Sequence, residues 1–252
     1  MYNLVIDFGN TNSKLAVFKS RELVHFEKSQ QLDYRRIAEL LETYEVRNST
    51  VSSVSKEHAD IIALLQERTR YTAFSTRLNP GVKSTYATPE TLGLDRWAKV
   101  IAAYQLHPES DCFLIDAGTC ITYDFLSSQG DYAGGSISMG LQMRFEALHH
   151  FTGRLPRVAW TKEQVLIPEG NSTSNAILSG VLQGALNEVK GFINSQLLHH
   201  HQLKVVFTGG DASFFTEQLK ADRSVSVEII HRPYLVLEGL NEVIAFEYVQ
   251  KS

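Results

Sequence analysis

The apolar positions of this chain fall into short blocks separated by polar, glycine-bearing turns, and the first pair of blocks sets the pattern. Leu4-Val5-Ile6 and Leu15-Ala16-Val17-Phe18 have the length and β-branched content of buried strands. Between them lies Asp7-Phe8-Gly9-Asn10-Thr11-Asn12-Ser13-Lys14, in which Gly9-Asn10 is the residue pair that most readily takes positive φ in a tight hairpin turn. Leu23 to Phe26 continues as a third strand. Asp33 then caps a helix that repeats Ile37, Leu40, Leu41 and Tyr44 on one face. Residues 49 to 54 alternate as a strand, Ser55 caps a second helix with Ile61, Ile62, Leu64 and Leu65 inside, and Tyr71 to Phe74 makes a short strand. Strand, helix, strand, helix is the alternation of the α/β class.

The chain then repeats the device. Cys112-Phe113-Leu114-Ile115 and Ile121 to Leu126 are apolar strands around Asp116-Ala117-Gly118-Thr119, so Ile-Asp-x-Gly occurs in both hairpins. A third glycine turn, Thr208-Gly209-Gly210-Asp211, follows Lys204 to Phe207 and precedes a helical pattern. Thr88-Pro89-Glu90 has the cap and first-turn proline of a helix start, and Gly93-Leu94-Asp95-Arg96 leads into a helix from Trp97 to Tyr104. Tyr132 to Ser138 reads as a strand with a glycine pair, and 140 to 151 as a helix with Leu141, Phe145, Leu148 and Phe151 on one face. Gly170-Asn171-Ser172-Thr173 opens a long helix to about Leu198, and a strand from Val225 to Ile230 precedes a last helix with Pro233 in its first turn. The boundary falls near Pro108 to Asp111. It gives an N-terminal lobe over 1–109 and a C-terminal lobe over 110–252, with the last helix free to pack back across it.

Composition narrows the partners. A chain of 252 residues with 43% apolar content can bury a full core. Its 24 Lys and Arg against 28 Asp and Glu leave a net charge of −4, which is no global footprint for nucleic acid or for an anionic membrane. No apolar run approaches the ~18 residues of a membrane span and no basic segment precedes an apolar one, so a cytoplasmic location is expected. Two cysteines fit free thiols in a reducing compartment, not a metal or disulfide framework.

Chemistry gathers at the turns. Gly9 lets backbone N–H groups approach an anion, Asn10 to Ser13 add short donors, and Lys14 adds a charge. Asp7, where the strand enters the turn, is placed to hold a hydrated Mg²⁺ against phosphates. An ordinary hairpin turn would look the same in isolation; two of them facing one another would aim two carboxylates and two sets of amides into one cleft. Asp95 reads either as the cap of its helix with Arg96 solvated beside it, or as the group that takes or orients a hydroxyl proton while Arg96 clamps a carboxylate. Thr173 is either a cap or a substrate contact. His149-His150 and His199-His200-His201 sit at helix ends, where solvent and the helix dipole account for them without a metal.

This constellation resembles the actin-like ATPase superfamily of sugar kinases and Hsp70, and within it type III pantothenate kinases. The motifs shared with that family are the Asp7 and Asp116 hairpins, Gly93-Leu94-Asp95-Arg96, Gly134-Gly135-Ser136-Ile137, Leu155-Pro156, Gly170-Asn171-Ser172-Thr173 and Thr208-Gly209-Gly210. Met139-Gly140 stands where the family often has Pro-Gly. The resemblance implies two duplicated, ribonuclease H-like lobes with the nucleotide cleft between them, and transfer of phosphate from ATP to pantothenate, the first step of coenzyme A synthesis. It implies ATP binding by Asp7, Phe8, Gly9, Asn10, Thr11, Asn12, Ser13, Lys14 and Thr119. Asp95 is the expected catalytic residue, with pantothenate on Tyr86, Gly93, Leu94, Asp95, Arg96 and Thr173. A monovalent cation, potassium or ammonium, is expected on Asp116, and Mg²⁺ near Asp7 through water. A homodimer is implied as well, with Thr173 open to action from the partner subunit. Two alternatives remain: another actin-like small-molecule kinase, and a nucleotide-binding transcription accessory factor without catalysis.

Overall fold

The computed structural model describes residues 1–9, 11–52, 58–222 and 226–250. By its internal contacts the chain divides into two units. The first takes Met1–Pro108, Gly130–Tyr132 and the stretch from Tyr234 onward; the second takes Glu109–Gln129 and Ala133–Pro233. The last helix therefore packs in the first unit, although the sequence division counts it with residues 110–252.

The first unit carries β1 (Tyr2–Phe8), β2 (Ser13–Lys19), β3 (Glu22–Ser29), α1 (Tyr34–Thr43), β4 (Val46–Ser52), α2 (Ala59–Arg68), β5 (Arg70–Ala73), β6 (Lys83–Ser84) and α3 (Leu94–Leu106). The second carries β7 (Cys112–Ala117), β8 (Cys120–Leu126), most of β9 (Asp131–Met139), α4 (Leu141–His150), α5 (Thr173–Leu197), β10 (Lys204–Thr208), α6 (Ala212–Ala221) and β11 (Glu228–His231). Helix α7 (Leu235–Gln250) returns to the first. The sheet of the first unit runs β3-β2-β1-β4-β5, and the second unit's strands run β9-β8-β7-β10-β11. These are the same order. In each, the central strand is antiparallel to its hairpin partner and parallel to the strand that follows the first crossover. The first two residues of β9, Asp131 and Tyr132, pair in parallel with β6 inside the first unit.

Burial explains the register. Leu4, Val5 and Ile6 of β1 are fully buried, as are Leu114 and Ile115 of β7, so successive side chains fill both faces of each central strand and a slip would bring a polar end residue such as Asp7 or Asp116 into that apolar run. Leu4, Ile6, Leu15 and Val17 pack with Ile37, Leu40 and Leu41 of α1 and Ile61, Leu64 and Leu65 of α2. In the second unit the apolar side of α5, from Ile177 to Ile193, packs with β7, β8 and β10 and with Leu141 and Phe145 of α4. Among the described residues no helix is long and apolar enough to cross a membrane.

Asp33 caps α1 as expected, its side chain accepting from the Arg35 N–H at 3.0 Å, while other local expectations change. Helix α2 is capped at His58 with no side-chain bond; Ser55, expected there, lies outside the described residues, as do Val54 and Val225 at the expected strand ends. Pro89–Thr91 is one 3₁₀ turn and not the start of a longer helix, because Leu92 returns to extended backbone. Phe151 is 81% exposed, since α4 ends one residue before it and the chain turns away from the buried face.

Helix α7 is held by polar pairs through Asn241 and Glu242 and by a close backbone approach at Gly239. Asn3 Nδ2 donates to Asn241 Oδ1 at 2.9 Å, Asn241 Nδ2 donates to the Ser20 carbonyl at 2.8 Å, and Arg21 forks onto Glu242 at 2.6 and 2.8 Å. A Cβ on Gly239 would lie 1.9 Å from the Ala98 carbonyl oxygen on α3. Backbone cannot move aside as a side chain can. Gly239→Ala is therefore expected to destabilise the protein by about 1–3 kcal/mol, read as a lower midpoint of thermal unfolding.

Candidate active site

The first turn is fixed from below by its strands. Asp7 stands opposite Lys14 across the hairpin and opposite Ser52 of β4, and Phe8 stands opposite Ser13. Asp7 is 7% exposed, Ser13 is buried, and Thr11 at the tip is exposed. A Cβ on Gly9 would come within 2.9 Å of the Asn12 carbonyl, so only glycine allows the turn to close this tightly. Asn10 lies outside the described residues. The Phe8 ring stacks on His58 at the start of α2, with centroids 3.6 Å apart and planes within 8°.

Still in the first unit, α3 presents Asp95 and Arg96 in its first turn. Its N-cap is Gly93, without a side-chain cap bond, so Asp95 is not the cap. Arg96 is 4% exposed, so it is not a solvated surface residue either. The Arg96 guanidinium lies over the Tyr86 ring, 5.7 Å from its centroid, with Nη1 3.5 Å from the Tyr86 hydroxyl. The delocalised cation is thus held against an aromatic face. Leu94 opens the helix half-buried, and Lys99, one turn on, is fully buried.

The second unit repeats the turn. Asp116 stands opposite Thr122 across the β7–β8 hairpin and opposite Thr208 of β10. The Gly118 N–H donates to the Cys120 carbonyl at 3.0 Å, which leaves Thr119 exposed at the tip. Gly209 of the third turn has φ +94°, and a Cβ there would lie 2.4 Å from both Asp116 Oδ1 and the Ala117 carbonyl oxygen. The Asp211 N–H donates to that carbonyl at 2.8 Å. The third turn thus packs backbone directly against the second, with two oxygens at the junction. Oxygen donors of this kind suit a hard cation.

Thr173 is the first residue of α5 and is exposed; the cap is Ser172, whose hydroxyl accepts from the Asn175 N–H at 3.2 Å. Thr173 is thereby free of the capping role. His149 and His150 are exposed at the end of α4, as expected, and His149 Nδ1 bonds the Leu155 carbonyl at 2.8 Å. His200 is not simply solvated: its Nδ1 lies 2.9 Å from Asp111 Oδ2. No group of three or more His, Cys, Asp or Glu among the described residues could hold a metal ion. A divalent ion that arrives with an anionic ligand needs only one or two carboxylates, and Asp7 at the edge of the first turn is a single carboxylate of that kind. Burial pushes the Cys112 thiol up to about 12, which removes it as a nucleophile.

A family model described as type III pantothenate kinase matches residues 3–195. A type III pantothenate kinase from Bacteroides fragilis is 40% identical over 247 residues, 97% of this chain and 98% of that protein. The chain belongs to the type III pantothenate kinase family. Among solved structures, a Campylobacter jejuni protein provisionally assigned to the Baf family of transcriptional activators is 22% identical, with a TM-score of 0.62, covering 98% of this chain and 99% of that one. A Sinorhizobium meliloti protein provisionally assigned as a 2-dehydro-3-deoxygalactonokinase is 11% identical with a TM-score of 0.61, covering 98% and 99%. At these identities the likeness shows the fold alone, the two-lobe actin-like architecture. The duplicated strand order accords with it.

Within this family member, sequence reasoning missed His58 and the cluster of Arg144, Glu188 and Tyr123. His58 lies 50 positions from Phe8, and Glu188 lies 44 from Arg144 and 65 from Tyr123, so no local spacing joins them. At Gly93 the geometry makes a direct test. A Cβ there would lie 2.6 Å from Asp95 Oδ1, which is the mobile end of a side chain. Gly93→Ala is expected to keep the thermal midpoint within a few degrees while rotating the Asp95 carboxylate away, and to lower turnover by about tenfold or more in a steady-state assay.

Proposed function

We propose that the chain transfers the γ-phosphoryl group of ATP to the primary hydroxyl of pantothenate, giving 4′-phosphopantothenate at the start of coenzyme A synthesis, with Asp95 as the catalytic carboxylate. Membership in the type III pantothenate kinase family is the observation that carries the reaction. The residue roles rest on the geometry of each unit. In this reading Asp7, Phe8, Gly9, Asn10, Thr11, Asn12, Ser13 and Lys14 bind ATP at the first turn, and Thr119 binds phosphate at the second. Backbone amides and short hydroxyls supply donors there, and Lys14 offsets charge. Tyr86, Gly93, Leu94, Asp95, Arg96 and Thr173 hold pantothenate. Arg96 is supported as the carboxylate clamp by its burial and by the Tyr86 ring beneath it.

Phosphoryl transfer passes through a loose transition state, so the protein contributes mainly alignment and charge stabilisation. Asp95 orients the attacking hydroxyl and takes its proton as the new oxygen–phosphorus bond forms and the bond from the γ-phosphorus to the β,γ-bridging oxygen breaks, releasing ADP. Mg²⁺, bound with ATP near Asp7 through water, would neutralise developing phosphate charge. A monovalent cation, potassium or ammonium, would sit at Asp116, where the carboxylate and the Ala117 carbonyl meet the third turn. Homodimerisation and a cytoplasmic location belong to the same reading, as does the absence of nucleic acid or membrane partners; the near-neutral charge balance supports the last.

Asp95→Asn is expected to lower kcat by about 10²–10⁴-fold while MgATP affinity stays within twofold, because the amide keeps the shape and loses the base. An unchanged kcat would remove Asp95 from the mechanism. For the cation, ADP formation should require pantothenate and should fall sharply when sodium replaces potassium and ammonium. Asp116→Asn should erase that difference.

A further inference from the structure

We infer that Arg144 and Glu188 are positioning residues that set the second phosphate turn for ATP, acting through the corner between β9 and α4. The inference rests on the reading that Thr119 binds ATP phosphate. Arg144, in α4, donates from Nε to the Met139 carbonyl at 2.8 Å and from Nη2 to Ser138 Oγ at 2.8 Å, both at the end of β9. The same Nη2 meets Glu188 Oε2 on α5 at 2.6 Å. The other Glu188 oxygen accepts from the Tyr123 hydroxyl on β8 at 2.7 Å. Tyr123 is itself 1% exposed and stacked on Phe192 of α5, with centroids 4.1 Å apart. The Arg144 guanidinium therefore ties the end of β9 to α5, and the Glu188 carboxylate ties α5 to the hairpin strand that leaves the second turn.

The corner held in this way lies directly against the turn. The Gly140 N–H donates to the Thr119 carbonyl at 3.1 Å, and a Cβ on Gly140 would lie 2.2 Å from the Gly118 carbonyl oxygen and 2.4 Å from that of Thr119. No side chain separates the two backbones, so a displacement of the corner passes straight to Gly118 and Thr119. A cation near a helix N-terminus opposes the helix dipole, and Glu188 offsets that cost. Burial acts to raise the Glu188 carboxyl, but hydrogen bonds from Arg144, Tyr123 and Ser138 outweigh it and hold the group below its ordinary range. Glu188 therefore stays charged at neutral pH. Packing of α4 on α5 does not need it, because Leu141 and Phe145 already bury into the apolar side of α5. What the clasp adds is a fixed position for polar backbone that carries no core of its own.

The test uses Glu188→Gln, which keeps shape and the Tyr123 bond, and Arg144→Lys, which keeps charge but cannot fork across three acceptors. Calorimetric MgATP binding, thermal midpoint and the separate KM values for ATP and pantothenate are read for both. Each variant should weaken MgATP binding and raise KM for ATP, by about tenfold for Glu188→Gln, the scale of one charge-assisted hydrogen bond. KM for pantothenate should stay within twofold and kcat within threefold. MgATP affinity within twofold of wild type in both variants, or an equal rise in both KM values, overturns the inference. If the wild-type protein consumes no pantothenate, the proposed function fails instead, and calorimetry with MgATP still decides the role of the clasp.

Discussion

The constraint on which the rest depends is the confinement of one strand in each unit between an antiparallel and a parallel neighbour. β1 and β7 are buried along their length, and each is paired on both edges, so their only exit is the C-terminal end. Asp7 is the last residue of β1 paired with β4, and Asp116 the last residue of β7 paired with β10. A carboxylate at that position cannot drift, because moving it means sliding a buried register by two residues. Open α/β sheets place their ligands beyond the carboxyl ends of the strands for the same reason: there the scaffold is rigid and the backbone is unpaired.

Tightness around these ends comes from backbone against backbone. Gly140 and Gly209 both approach the second turn at distances that a Cβ would forbid. Such contacts transmit position without the slack of side-chain rotamers. On α3 the packing differs in kind, since Arg96 and Lys99 are buried cations, each engaged with other groups. A buried charge is costly unless partnered, so two of them within one turn mark a segment whose composition answers to something besides stability.

Family and fold speak to different levels. Similarity at 40% identity over nearly the whole chain fixes the family. The structural likeness at 11–22% identity spans proteins of different assigned roles and fixes only the architecture. What distinguishes a pantothenate kinase within that architecture must lie in side chains placed on the shared scaffold. In the proposed reading those are the first turn of α3, with Asp95 and an Arg96 that rests on Tyr86, and the N-terminus of α5, with Thr173.

The sequence by itself determined the turns and their order. Ile-Asp-x-Gly between two apolar runs specifies a hairpin through local sterics and burial, and its recurrence specified a duplicated α/β chain. It left Asp95 and Thr173 ambiguous, because a carboxylate or hydroxyl before an apolar run reads equally as a cap. The structure withdraws the capping role from both by giving the caps to Gly93 and Ser172. It also moved α7 into the first unit and joined Phe8 to His58 and Arg144 to Glu188, contacts that span 44 positions or more. Local patterns encode φ, ψ and which face is buried. Which distant side chains meet is decided only when helices pack on sheets, and that depends on volumes and angles that no short stretch of sequence contains.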